Sequence, residues 1–183
     1  MKKTIIASII SIAASTAFAG AVTAEYQAAD GQYGTAGNTA LVLNVEEYVA
    51  PNISIDISGT NTQTNSASGL STRIEAGVTY FKPVGPVVAS VRVGAGEKYT
   101  SGANTEYWSI EPAVSYNLTE KLSAKVGYRY STAVDSRVAD QTRAFRVGTE
   151  YTLTKDYSVG ARLEQVRGDT STNVIALTVA HSF

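Results

Sequence analysis

The chain has 183 residues with 15 Lys and Arg against 16 Asp and Glu, one His and no Cys, for a net charge of −1. That balance is no basic footprint for nucleic acid, and a chain without cysteine has neither a disulfide framework nor thiolate chemistry. With a single imidazole, His-based metal sites and proton shuttles have almost nothing to work with, so neither metal nor cofactor is expected.

In chain order, the first element is "MKKTIIASIISIAASTAFAG". Two lysines, an uncharged apolar stretch from Thr4 to Phe18 and the small-x-small exit Ala17-Phe18-Ala19 form the pattern of a secretory signal peptide. The apolar stretch is shorter than the roughly 20 residues that a membrane helix needs. Cleavage after Ala19 removes Lys2 and Lys3 and leaves residues 20–183 as one domain with 13 bases against 16 acids. No later apolar run approaches helix-spanning length, so a membrane form of this chain must be a closed barrel.

From Gly20 onward nearly every segment alternates with period two, which argues for strands. The expected strands are Ala21–Ala29, Ala40–Val49, Ile53–Thr60, Arg73–Phe81, Val87–Tyr99, Glu106–Leu118, Leu122–Ser131, Arg143–Leu153, Tyr157–Val166 and Asn173–Phe183. These make ten, with eight long or twelve short strands as the alternatives. The joints alternate: long "DGQYGTAGN", short "APN", long "NTQTNSASGLST", short "KPVGP", then "TSGAN", "TEK", "DSRVADQ", "TKD" and "GDTST". Long and short joints along an up-and-down meander fit a transmembrane β-barrel with longer outer loops, short periplasmic turns and both termini periplasmic. Two hairpin turns repeat, "YNLTEKLS" at Tyr116–Ser123 and "YTLTKDYS" at Tyr151–Ser158, as one supersecondary unit reused.

The two faces separate in the later strands. In the seventh, Leu122, Ala124, Val126, Tyr128 and Tyr130 alternate with Ser123, Lys125, Gly127, Arg129 and Ser131. A soluble sandwich would turn the apolar face inward, whereas a membrane barrel turns it to lipid. Trp108, Tyr116, Tyr130, Tyr151 and Tyr157 lie near the ends of the apolar face, as aromatic girdles require. The second strand, "LVLNVEEYVA", strains the pattern. Keeping Leu41, Leu43 and Val45 outward also sends Glu47 toward lipid. The strand ends early, a bulge reverses its phase, or Glu47 lies at the interface.

The meander from Gly20 to Phe183, the phrase "VGYRY" and the closing "NVIALTVAHSF" are similar to the small outer-membrane β-barrels of Gram-negative bacteria. "VGYRY" is also similar, more weakly, to narrow acidic-oligosaccharide porins, a group whose strand number this chain looks too short to reach. The resemblance implies an outer membrane of lipid and lipopolysaccharide around the chain. It also implies a carboxy-terminal signal for the barrel-assembly machinery at Ile175, Leu177, Val179, His181 and Phe183. His181 departs from the pattern, because an aromatic is more usual there.

Taking the polar face as the lumen gives acids Glu25, Glu46, Asp56, Glu75, Glu111, Glu150 and Glu164, and bases Arg73, Arg92, Lys98, Lys125, Arg129, Arg146 and Arg162. In so narrow a tube opposite charges should pair, because an unpaired ion away from bulk water costs several kcal/mol. The lumenal glycines Gly77, Gly94, Gly96, Gly127, Gly148 and Gly160 should leave space for long side chains to cross. Two functions follow. One is a narrow channel for ions or small solutes, with weak charge selectivity from its balanced lumen. The other is a non-conducting surface or scaffold barrel for adhesion, for phage or partner-protein binding, or for envelope structure. An enzyme reads poorly: the one His is a rim residue in a lipid-facing position, and "GAGEKYTS" lacks the Gly-Lys-Ser/Thr ending of a phosphate-binding loop.

Overall fold

In the computed structural model, residues 20–30, 37–63, 70–100, 102–169 and 171–183 are described. The expected signal segment, residues 1–19, lies outside them. Ten strands follow one another: β1 (Gly20–Ala29), β2 (Asn38–Ala50), β3 (Ile53–Gln63), β4 (Leu70–Val84), β5 (Val87–Tyr99), β6 (Asn104–Asn117), β7 (Leu122–Ala133), β8 (Thr142–Thr152), β9 (Tyr157–Gly168) and β10 (Thr172–Ser182). Each pairs antiparallel with its chain neighbours, and β10 pairs with β1 to close the barrel. Closure satisfies every strand edge, which is the condition for a sheet to cross a bilayer.

Most strands run one to three residues past their expected ends, because the ladder continues through polar residues that sequence alternation assigns to loops. Gln63 still faces Leu70, and Thr172 still faces Val166. The loop asymmetry is correspondingly milder than expected. Connections 30–37, 64–69 and 134–141 are long, but 169–171 is as short as the turns at the opposite end. There the two-residue turn between β4 and β5 carries Gly85 at φ +61°, a conformation glycine adopts at little cost.

The repeated hairpin phrases form one and the same turn. Thr119 Oγ1 accepts from the amides of Lys121 and Leu122 at 3.2 and 2.9 Å. Thr154 Oγ1 accepts from those of Asp156 and Tyr157 at 3.3 and 3.1 Å. Each threonine thus replaces the backbone partners that the turn would otherwise leave unpaired.

At the other end Asp30 fastens the closing seam. Its carboxylate accepts from the Asn173 amide (2.6 Å), the Asn173 side chain (2.7 Å) and the Thr172 hydroxyl (2.8 Å). These bonds hold the Asp30 carboxyl below its ordinary value of 3.8, the backbone amide of Asn173 contributing most.

The outward face is apolar and bare. Ile57, Val93, Leu163, Ile175, Leu177 and Val179 each stay at least half exposed. So large a contiguous band is excluded from water only when lipid covers it. Glu47 resolves as the interfacial case. It keeps the outward phase opposite Ile55, and the bulge falls just beyond it, between Tyr48 and Ala50, where the strand reaches the rim.

Candidate functional site

The inward phase gathers the charged residues at mid-height, in two chains of ion pairs. The first begins on β3, where Asp56 takes Arg92 of β5 in a two-bond grip: Nε to Oδ1 at 2.8 Å and Nη2 to Oδ2 at 2.5 Å. The same guanidinium turns Nη1 to Glu75 of β4. Glu75 also accepts from Arg129 Nη2 of β7, from the Tyr107 hydroxyl at 2.6 Å and from the Ser109 hydroxyl at 3.2 Å. With four donors on its two oxygens, Glu75 sits at 3% exposure. A carboxylate that deep persists as an ion only when paired and fully hydrogen-bonded. Arg73 completes the group by lying 5.0 Å from the centre of the Tyr107 ring.

The second chain crosses β6, β8, β9 and β1. Arg146 bridges Glu111 at 2.5 Å and Glu164, whose Oε1 takes Nη2 at 3.2 Å while Nε stands 3.0 Å from Oε2, off the hydrogen-bonding direction. Arg162 then joins Glu164 at 3.4 Å to Glu25 at 2.8 Å, and Gln27 donates to the same Glu25 oxygen at 2.5 Å.

The glycines make these crossings possible. A Cβ on Gly77 would stand 2.4 Å from Arg92 Nη2, and one on Gly94 would stand 2.7 Å from a Glu75 carboxylate oxygen. Gly96 lies under the Tyr107 hydroxyl, Gly148 against the stem of Arg162 and Gly127 near Glu111. Gly160 clears the hydroxyl of Thr178.

Of the fourteen charges expected in the lumen, twelve line one polar cavity of about 440 Å³. The two others sit at its ends. Lys98 reaches Asp140 of the connection 134–141 at 3.3 Å, while Glu150 is exposed near the short-turn mouth. Glu46 accepts from the buried Ser54 hydroxyl at 2.6 Å, and Lys125 is solvent-exposed. The two ion-pair chains end at Asp56 on β3 and Glu25 on β1. Thr23, Val42, Asn44, Ser58 and Thr60 of β1, β2 and β3 also face the cavity.

Sequence reasoning misses the neutral members of this site. Tyr107, Ser109 and Ser54 act as partners of the expected charges, as does the acid Asp140, and the inward phase of the sixth strand could have flagged Tyr107 and Ser109. It also misses Tyr48 and Phe81, which meet edge to face at 5.7 Å on the inward phase near the short-turn mouth. Outside, the expected girdle residues form two rims. Trp108 and Tyr130 pack at 5.5 Å toward the long-loop end, and Tyr116, Tyr151 and Tyr157 mark the other. On β10, Ile175, Leu177, Val179 and Phe183 point outward with His181 in the same phase. The imidazole lies between Tyr157 and Phe183, 4.7 and 6.2 Å between ring centres, and so occupies an aromatic's place in a stack. Among the described residues no group of three or more His, Asp or Glu is placed to hold a metal ion.

No protein-family model matches the chain, and no curated protein matches it. Solved structures do match in fold. The KdgM porin aligns over 89% of this chain and 99% of its own at 16% identity and a TM-score of 0.50. The NanC porin aligns over 88% and 98% at 10% identity and 0.50. The translocator domain of the autotransporter NalP from Neisseria meningitidis aligns over 100% and 95% at 10% identity and 0.53. The chain therefore has the up-and-down transmembrane β-barrel fold of porins and related outer-membrane barrels.

Proposed function

We propose that the protein is a narrow porin-like channel of a bacterial outer membrane, passing ions and small hydrophilic solutes with weak charge selectivity. The supporting observation is the polar cavity of about 440 Å³ beside the ion-pair chains, lined on β1, β2 and β3 by the short side chains of Thr23, Val42, Asn44, Ser58 and Thr60. A path there keeps permeant ions close to both signs of charge, and mixed fields discriminate weakly compared with single-sign rings. The KdgM porin has been solved in complex with disordered oligogalacturonate. The balance of acids and bases in the present lumen gives less reason to expect a specialist for acidic chains. In this reading residues 1–19 direct export, both termini of the barrel chain lie on the periplasmic side, and residues 175–183 serve assembly.

A second reading has its own observation. The two ion-pair chains together span most of the lumen at mid-height, as the core of a closed scaffold barrel would. Single-channel recording in a planar bilayer decides between them. Folded protein is expected to give small, steady conductance steps with nearly equal permeability to potassium and chloride. A silent bilayer from demonstrably folded barrel overturns the channel and leaves the scaffold.

A further inference from the structure

On the outward face, β8 and β9 place Arg143 directly opposite Arg167. Like charges in cross-strand register repel, and a protein gains nothing intramolecular from such a pair. Both side chains are exposed, and neither forms an ion pair within 4 Å among the described residues. Arg143 makes no hydrogen bond there, and Arg167 donates only to the neighbouring Val166 carbonyl at 2.8 Å. The nearest acid along the chain, Asp169, is engaged by the Gln141 amide at 2.6 Å. The other like-charged pair on this face, Glu97 opposite Glu106, differs because the Tyr99 hydroxyl caps Glu97 at 2.5 Å.

The height of the two arginines is informative. On the same face, one step toward the short turns, come Phe145 at 50% exposure on β8 and Gln165 on β9, with Leu163 at 61% below it. Tyr130 of the aromatic rim is in register beside Arg143. The guanidinium groups thus stand at the long-loop border of the apolar band, where the headgroups of the surrounding leaflet lie.

We propose that Arg143 and Arg167 form a clamp for a phosphate group on a lipid headgroup in the leaflet at the long-loop end. Two adjacent guanidinium forks match the oxygens of one phosphate, and the anion converts their repulsion into a bridged contact. The clamp rests on the membrane placement in the proposed function but not on conductance, so a silent barrel leaves it standing.

The test uses the full barrel folded in a neutral detergent, with bound lipid counted by native mass spectrometry. The probes are bis-phosphorylated lipid A, its dephosphorylated form and inorganic phosphate. The wild type is expected to retain the phosphorylated lipid roughly tenfold better than the dephosphorylated one, about what one charge-assisted hydrogen bond is worth. The preference disappears in Arg143→Gln/Arg167→Gln. It survives in Arg137→Gln, whose parent side chain is already held by Asp135 at 2.8 Å. Lipid-free Arg143→Gln should melt no lower than wild type, because it loses a repulsion, which separates lost binding from lost folding. Equal retention of both lipids, or an unchanged preference in the double variant, overturns the clamp. Displacement of the lipid by millimolar inorganic phosphate overturns the lipid as its ligand.

Discussion

The two sides of the lumen are built on different principles. From β4 to β9 the wall is a lattice of ions: Glu75, Arg92, Arg129, Arg146, Arg162 and their partners, folded over glycines that give them room. From β10 through β1 and β2 to the middle of β3, the wall is held mainly by backbone pairing, short inward side chains and the Asp30 fastening at the seam, with Glu25 the one end that the ion-pair chains reach there. The first wall is rigid because each of its members would be costly alone. The second leaves space because, between the anchors Glu25 and Asp56, its inward residues Thr23, Val42, Asn44, Ser58 and Thr60 are short. A tube of fixed circumference can hold a dense ionic core and still keep an open lane only if the two are segregated in this way.

Removing the hub of the ionic wall should have the largest effect. Glu75→Gln leaves Arg92 and Arg129 sharing a neutral partner in a buried position. Breaking a buried pair from one side costs about 3–5 kcal/mol. The measurement is urea unfolding of the barrel in lipid vesicles, followed by tryptophan fluorescence. An unchanged midpoint would break the comparison, since the wall would then not depend on its ions.

The seam of the open wall should respond less and only locally. The Asp30 carboxyl is lowered by its bonds to Asn173 and Thr172. A carboxyl depressed by folding contributes stability above its ordinary value, and that contribution is lost as pH falls through the lowered one. Protection of the Asn173 amide, its exchange rate taken relative to the intrinsic rate at the same pH, should therefore fall on acidification below the ordinary value of 3.8, and Asp30→Asn should show the reduced protection at neutral pH already. Protection at mid-strand positions of β1 should stay high in both. Uniform loss of protection along β1 would mean that the open wall depends on this one carboxylate as the other wall depends on Glu75.

Most of this architecture was legible in the residues, for a physical reason. A strand whose solvent is lipid on one side and a crowded polar lumen on the other must alternate strictly, and Leu122 to Ser131 or Arg143 to Leu153 do so. Phase then places the charges, and twelve of fourteen do face one cavity. Lys98 and Glu150 obey the phase but lie beyond the crowded level, because alternation carries no information about height. The partner of each charge was not readable either, since pairing depends on barrel shear and on distances across the lumen, as when Arg162 of β9 reaches Glu25 of β1. Tyr107 escaped notice because it carries no charge to demand a partner, although its inward phase lets it donate to Glu75. The arginine pair at 143 and 167 needed the register of β8 against β9, which no single strand reveals.

The natural absence of cysteine allows the open lane to be probed directly. Ser58→Cys places a thiol on the open wall, and Ala113→Cys places one on the ionic wall, where Ala113 is 7% exposed. Single-channel current is recorded before and after a charged methanethiosulfonate reagent. A solute path along β1, β2 and β3 predicts rapid modification and a sharp fall in current for Ser58→Cys, with the Ala113→Cys channel unaffected. Block of the Ala113→Cys channel with undiminished current through modified Ser58→Cys would contradict it.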